Sequence, residues 1–201
     1  MLFFVVPAMA NTRPYLSADI STDAIGMYQM PKNIVIYENP EEGSKVLYEA
    51  KWDYKTFDSE YGSPEKIFSV FVQNKELAYV QVTDYQGDWV EIIYDKYSNL
   101  RGWLKSEELR LMNWRSFYNM YGRKYGLYLL KGSPIEVKNL HSATSDDSQI
   151  IHQINNPQKI KFTVVKGNWA LVTSIEHNLG ISGYLKWRSD DGNIYAFPAI
   201  K

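Results

Sequence analysis

Two stretches of the chain share one order of apolar and polar positions. Residues 81–109 and residues 160–187 each contain an apolar run, a Gly-x-Trp step, a second apolar run, a polar loop and a Gly-aromatic-Leu step. Gly87 and Gly167, which open the two Gly-x-Trp steps, are 80 positions apart. Apolar runs joined by glycine-containing turns are typical of β-hairpins. The pattern therefore predicts an internal duplication of a small antiparallel β-unit.

Alternation along the strand after each Gly-x-Trp step assigns the tryptophan to a face. Successive side chains of a strand point to opposite sides, so Trp89 is opposed to Val90 and Trp169 is opposed to Ala170. Each tryptophan is expected either to pack under a loop or to line a groove. Alternation does not separate these two alternatives.

A helical pattern lies between the two copies. Ser106 to Tyr125 begins with a capping serine followed by two glutamates and ends with basic residues before a glycine. Four aromatic residues recur at helical spacing on one face: Trp114, Tyr118, Tyr121 and Tyr125. Such a stripe favours a packing seam, with a break near Met112. We interpret residues 112–127 as a helical connector that docks two modules, residues 28–111 and residues 128–201.

The N-terminus has the pattern of an export signal. Residues 1–10 form a short apolar run that ends in Ala8-x-Ala10, which matches the end of a secretory signal peptide, truncated because no basic segment precedes it. Cleavage is expected after Ala10, which would place the protein in the periplasm or outside the cell. Residues 11–27 are polar without a clear period and are expected to form a flexible leader.

The first copy alone carries an aromatic insertion. Residues 51–66 are polar but include Trp52, Tyr54, Phe57 and Tyr61. Loops often carry function, so these aromatic residues are candidates for ligand binding. The alternative is that they fold back and cover the open end of the unit.

Composition and charge narrow the chemistry. The net charge of −1 gives no reason to expect nucleic acid or an anionic membrane as partner. Residues 28–111 carry 10 basic and 15 acidic residues, and residues 112–201 carry 11 basic and 6 acidic residues, so the halves have charges of −5 and +5. The absence of cysteine removes disulfides and thiolate chemistry. The three histidines lack metal-ligand spacing, and no catalytic motif is present. We expect no cofactor, no metal and no catalytic residue.

The repeated order of residues resembles a known family. An apolar strand with a Pro-Gly turn, a second strand, Gly-x-Trp, a strand, a loop, Gly-Trp-Leu and a short helical turn is similar to the bacterial SH3-like (SH3b) domain. The resemblance covers about residues 30–111 and, more loosely, 130–198. It implies an all-β protein with two small SH3-like β-barrels joined by a short helical connector. It also implies binding modules of exported cell-envelope proteins, which contact peptidoglycan, peptides or partner proteins.

The resemblance and the aromatic positions together define the expected function. We expect a non-catalytic adaptor that recognises a protein or peptide of the cell envelope, without insertion into a membrane. Binding of peptidoglycan or another glycan is the alternative, and hydrolysis by paired carboxylates is a further one. Proline-rich ligands are disfavoured because Lys105, Glu108 and Lys186 occupy positions where such a groove needs Pro or Tyr. The candidate ligand-binding residues are Tyr54, Phe57, Tyr61, Trp89, Trp103, Trp169 and Tyr184.

Overall fold

The chain folds into two compact units that are mostly antiparallel β-sheet. The computed structural model describes residues 6–7, 11–59, 62–106, 110–155, 160–175 and 180–201. Unit 1 comprises Met1–Arg13 and Asp23–Asn113, and unit 2 comprises Pro14–Thr22 and Trp114–Lys201. The predicted all-β class is confirmed. Within the described residues, neither sheet is paired into a closed barrel, and no helix is long and apolar enough to cross a membrane.

The sheet of unit 1 has ten strands in the described residues. They are β1 (Val6–Pro7), β2 (Gly26–Gln29), β3 (Asn33–Tyr37), β4 (Val46–Trp52), β5 (Thr56–Ser59), β6 (Val70–Val72), β7 (Leu77–Gln86), β8 (Trp89–Asp95), β9 (Leu100–Lys105) and β10 (Leu111–Asn113). Their spatial order is β1-β5-β4-β3-β9-β8-β7-β2-β10, with β6 also paired to β7. A short helix, α1 (Pro64–Ile67), and a 3₁₀ turn, Gln73–Lys75, flank β6.

The sheet of unit 2 has seven strands in the described residues. They are β11 (Leu127–Leu129), β12 (Asn139–His141), β13 (Ile150–Gln153), β14 (Ile160–Lys166), β15 (Trp169–Ser174), β16 (Ile181–Lys186) and β17 (Ala196–Pro198), in the order β13-β12-β16-β15-β14-β11-β17. Helices α2 (Trp114–Phe117) and α3 (Arg123–Tyr125) are joined by a π-helical turn, Tyr118–Gly122. Two 3₁₀ turns, Ser17–Asp19 and Ile135–Lys138, complete the unit.

The two sheets share one strand plan. The order β4-β3-β9-β8-β7-β2-β10 in unit 1 matches β13-β12-β16-β15-β14-β11-β17 in unit 2, strand for strand. The registers agree as well, because Trp89 lies opposite Lys105 and Trp169 lies opposite Lys186. Each unit also has a register shift in the hairpin that contains the Gly-x-Trp step. It lies between Val82 and Asp84 in the β7–β8 pair and between Phe162 and Val164 in the β14–β15 pair. The duplication seen in the sequence is therefore present in the fold.

The extra elements of unit 1 include the aromatic insertion. Residues 51–66 contribute the end of β4, β5 and the start of α1. Trp52 and Phe57 are buried. The Trp52 ring is 5.7 Å from that of Phe71, and the Phe57 ring is 5.7 Å from that of Phe68. These two insertion aromatics therefore complete the core of unit 1 rather than project from a loop.

The expected flexible leader, residues 11–27, is instead ordered and divided between the units. In unit 1, Thr12 exchanges two backbone hydrogen bonds of 2.9 Å with Phe71. In unit 2, Ile20 is buried, and the Ser17 amide donates to the Lys131 carbonyl at 2.9 Å. The polar composition concealed a few deeply buried positions, which are enough to fix the segment.

The expected connector, residues 112–127, also differs from the prediction. The helix starts at Trp114 rather than near Ser106, because Leu111–Asn113 pairs with β2 as β10. The aromatic face packs inside unit 2, with the Tyr118 ring 4.3 Å from that of Trp187. The seam itself is real, since Trp114, Tyr118 and Tyr121 are buried. The helix is therefore part of the second unit.

A close approach of two strands gives a stability prediction. A Cβ on Gly183 would lie 2.9 Å from Leu140 Cβ and 3.1 Å from the His141 carbonyl oxygen, so Gly183→Ala should destabilise the protein by about 1–3 kcal/mol through overpacking. Gly180→Ala is the matched control, because its Cβ would meet nothing closer than 3.8 Å. Urea unfolding of the full chain measures both changes. Equal free energies of unfolding for the two variants would contradict the close packing of β12 against β16.

Candidate functional site

Each unit has a lysine at the end of one strand, β9 or β16, that is ion-paired with a residue of the loop after another strand, β3 or β12. Lys105, at the end of β9, is ion-paired with Glu42. Lys186, at the end of β16, lies with Nζ 2.5 Å from Asp146 Oδ2. We call each of these ion pairs a lysine clasp. The clasps occupy equivalent places because the strand plan and the register are the same in both units.

The clasp lies beside the tryptophan of the Gly-x-Trp step. Residues directly opposite on neighbouring antiparallel strands share a face, so Lys186 and Trp169 project to the same side. Lys186 Nζ is 5.7 Å from the centre of the Trp169 ring, within the range of a cation–π contact. The Lys186 amine thus contacts the Trp169 ring and is also ion-paired with Asp146.

The last residue of β3 in unit 1, and of β12 in unit 2, has a ring that meets the tryptophan edge-on. In unit 1, the Tyr37 and Trp89 ring centres are 5.6 Å apart with planes at 89°. In unit 2, His141 takes the place of the tyrosine, 5.1 Å from Trp169 with planes at 68°. T-shaped pairs at these distances are favourable because a ring edge meets a ring face. The tryptophan therefore packs against β3 in unit 1 and against β12 in unit 2.

The hydrogen bonds of His141 define its tautomer. His141 Nδ1 is 3.2 Å from the Ser148 carbonyl oxygen, which can only accept. We therefore assign a proton to Nδ1. The Ser148 hydroxyl in turn lies 2.7 Å from the Ser145 carbonyl oxygen. These bonds fix the loop that carries Asp146.

The clasps shift the pKa values of their members. The hydrogen bond to Asp146 raises the pKa of Lys186 above its ordinary value of 10.5, against the opposing effect of burial. The hydrogen bond and charge of Lys105 lower the pKa of Glu42 below its ordinary value of 4.5. Both lysines are therefore cationic, and Glu42 is ionised, at neutral pH.

A cleft of about 340 Å³ opens beside the clasp of unit 2, near the lower end of the size range for ligand pockets. It is bounded by the turn before β12, by the loop after β12 and by the segment after β16. Its lining residues are Pro134, Glu136, Val137, Asn139, His141, Asp146, Ile150, Lys186 and Tyr195. The lining contains both apolar and polar side chains, and its charged groups are two carboxylates and one lysine.

The wall formed by Tyr195 is held by backbone bonds. The Tyr195 carbonyl oxygen accepts from the Leu130 amide at 2.8 Å and from the Ser133 hydroxyl at 3.0 Å. The neighbouring Ile194 carbonyl accepts from the Ser17 hydroxyl at 2.5 Å. One side of the cleft is thus supported by residues 14–22, the N-terminal part of unit 2.

The predicted site residues do not form one group. Tyr54 is 56% exposed, whereas Phe57 is buried in the core. Tyr61 lies outside the described residues. In the sheet of unit 1, Phe57 on β5 is separated from Trp89 on β8 by three strands, β4, β3 and β9. The insertion aromatics and the Gly-x-Trp aromatics therefore belong to different places.

The remaining candidates lie on the strands beside the clasps. Trp89, Trp103 and Tyr184 are half-buried, and Trp169 is buried beneath Lys186. Tyr184 is bonded through its hydroxyl to Lys166 Nζ at 2.9 Å. Sequence reasoning missed Glu136, Asn139 and Tyr195, which come from separate parts of the chain. The repeated lysine after each Gly-aromatic-Leu step was the available signal for the clasp.

A comparison of the chain with protein-family models finds no match, and neither does a comparison with curated proteins.

The clasp of unit 1 yields a pH prediction. Lys105→Met should raise the pKa of Glu42 back toward 4.5, because the hydrogen bond that stabilises its ionised form is lost. A lowered folded-state pKa stabilises the protein above pH 4.5, and this contribution disappears as the pH falls through the folded-state value. A side-chain carboxyl NMR titration measures the shift. Lys45→Met, which removes a nearby lysine outside the clasp, should leave Glu42 unchanged, and a similar shift there would contradict the assignment.

Proposed function

We propose that the protein is a non-catalytic adaptor made of two SH3-like units, the second of which recognises a protein or peptide segment. The observation that carries this proposal is the cleft beside the Lys186 clasp. A site of about 340 Å³ lined by both apolar and polar side chains suits one or two side chains of a bound segment. The shared strand plan of the two units and the repeated Gly-x-Trp corner support the SH3-like assignment.

The charges around the cleft indicate the ligand's chemistry. Lys186 is already paired with Asp146, and Asp190 Oδ2 lies 4.0 Å from its amine. Glu136 adds a further carboxylate to the lining. This local excess of negative charge favours a lysine or arginine of the ligand, while Val137 and Ile150 favour a neighbouring apolar side chain.

The cleft supports binding more than catalysis. Glu136 and Asp146 are the carboxylates that line it, and Asp146 is engaged by Lys186. A hydrolase would use one carboxylate as a proton donor and keep the other free for water or substrate. Engagement of Asp146 by a lysine fits a structural and recognition role.

The proposed place of action is the bacterial cell envelope. This part of the proposal rests on the signal-like residues 1–10 and on the resemblance to SH3b domains. Within the described part of that segment, Val6 and Pro7 pair with Phe57 and Thr56 at the edge of β5. Removal of residues 1–10 on export would take this short strand away and leave the rest of unit 1 in place.

The first prediction of this function concerns the charge of the cleft. Peptides selected from a phage-displayed library of linear heptapeptides against the full chain should be enriched in lysine or arginine beside an apolar residue. Glu136→Lys should weaken their binding about tenfold or more, since it replaces an attractive charge by a repulsive one. Fluorescence anisotropy with a labelled selected peptide measures the change.

The control for this test is Glu38→Lys, which reverses an exposed carboxylate in unit 1. It should leave binding unchanged. An empty selection, or equal losses from Glu136→Lys and Glu38→Lys, would refute the cleft as the recognition site.

The glycan alternative makes a separate prediction. Stacking on sugar rings needs exposed aromatic faces, and of the described insertion aromatics Tyr54 is exposed while Phe57 is not. We expect residues 11–201 to remain in the supernatant when purified peptidoglycan sacculi are sedimented at physiological salt. Retention in the pellet that is abolished by Tyr54→Ala would replace peptide recognition with glycan binding.

A further inference from the structure

The outer edge of β13 is the feature in which the two units differ most. In the described residues β13 ends the strand order of unit 2, and no strand is paired to its outer side. The corresponding strand of unit 1 is β4, since Val46 lies opposite Tyr37 as Ile150 lies opposite His141. In unit 1 the sheet continues past β4 to β5.

In unit 1 the corresponding edge, that of β4, is protected in two ways. The strand β5 pairs antiparallel with the far end of β4, through Ala50 with Ser59 and Trp52 with Phe57. The remaining outer positions carry charges at Lys45 and Glu49, which are exposed. Charged side chains and covering strands are the usual means by which sheets prevent unwanted pairing.

Among the described residues of unit 2, β13 has neither form of protection. Residues 149–153 read Gln-Ile-Ile-His-Gln, with no Lys, Arg, Asp, Glu or Pro. Ile150 is 53% exposed and Ile151 is 39% exposed. Gln153 stands where unit 1 has Glu49, because Gln153 lies opposite Asn139 of β12 and Glu49 lies opposite the equivalent residue of β3, Val35. An uncovered strand edge that lacks charged residues and exposes apolar side chains is a template for an added strand.

This edge is continuous with the cleft. Ile150 is both the first residue of β13 and part of the cleft lining. The loop that carries Asp146 leads directly into it. A segment lying along β13 would therefore present alternate side chains to the cleft, since side chains of a strand alternate between its two faces.

We propose that the partner segment binds as an added β-strand, antiparallel to β13, with its cationic side chain directed into the cleft. This inference rests on the proposed function, because it specifies how the same ligand is held. The structure of unit 1 indicates the kind of occupant, since there an extended antiparallel strand extends the sheet at the end of the equivalent strand. Backbone hydrogen bonds supply affinity in this mode and pockets supply specificity.

Backbone N-methylation of the ligand tests the added strand directly. A heptapeptide selected from the phage library is synthesised in two forms, one N-methylated at odd positions and one at even positions. Only alternate amides of an added strand face the sheet, so one form should lose at least tenfold in affinity while the other binds nearly as the parent does. Fluorescence anisotropy with the full chain measures both forms.

Two protein variants accompany the peptides. Ile150→Lys places a charge at the start of the edge and should weaken binding about tenfold. Val46→Lys makes the same change at the equivalent position of unit 1, where the residue is 43% exposed, and should have no effect. Circular dichroism is the check that both variants are folded.

The outcomes separate this inference from the proposed function. Equal affinities of the two N-methylated forms, together with sensitivity to Glu136→Lys, would overturn strand addition but keep the cleft. Failure to select any peptide would overturn both. The other possible occupant of the edge is a second copy of the chain, and analytical ultracentrifugation of the full chain tests for it. A dimer that Ile150→Lys dissociates would assign the edge to that second copy and overturn the proposal.

Discussion

The contact of β3 with β9 in unit 1, and of β12 with β16 in unit 2, depends on a glycine where no side chain fits. Cβ atoms at Gly102 and Gly183 would lie 2.5 Å from Ile36 Cγ2 and 2.9 Å from Leu140 Cβ, respectively. Because the strands meet this closely, Tyr37 pairs with Trp103 and His141 pairs with Tyr184. In unit 1 this pairing brings the loop after β3 close to the end of β9. In unit 2 it brings the loop after β12 close to the end of β16. The lysine clasps and the edge-on aromatic pairs follow from it.

The two units share one strand plan but differ in the elements outside it. Unit 1 has added β5 and α1 and has filled the space with Trp52, Phe57, Phe68 and Phe71. The Phe68 and Phe71 rings stack with centres 4.6 Å apart, so this additional core is well packed. Unit 2 has kept the shorter loop and has a cleft beside its clasp. The repeat therefore supplies a stable frame, and differences outside it distinguish one unit as the more elaborate core and the other as the candidate binding unit.

The sequence was informative where the structure depends on local pattern. The Gly-x-Trp and Gly-aromatic-Leu steps predicted strands β7 to β9 and β14 to β16, because turns and alternation are written in neighbouring residues. They did not reveal that β2 and β10 complete unit 1, since both are short and pair with distant strands. The cleft was also out of reach. Glu136, His141, Lys186 and Tyr195 come together only through the pairing of β12 with β16 and the path of the chain after it.

The membership of residues 14–22 in unit 2 has a consequence for the order of folding. Residues 14–22 leave the ribosome before most of unit 1. Their contacts nevertheless join positions more than a hundred apart, because the Ser17 hydroxyl donates to the Ile194 carbonyl and the Tyr128 hydroxyl donates to the Pro14 carbonyl. All of unit 1 can be synthesised while this segment still lacks its partners. Unit 2 therefore closes its last contacts only when the C-terminal residues emerge, and contacts of such sequence separation form slowly. Residues 14–22 are therefore expected to acquire their contacts within unit 2 late in folding.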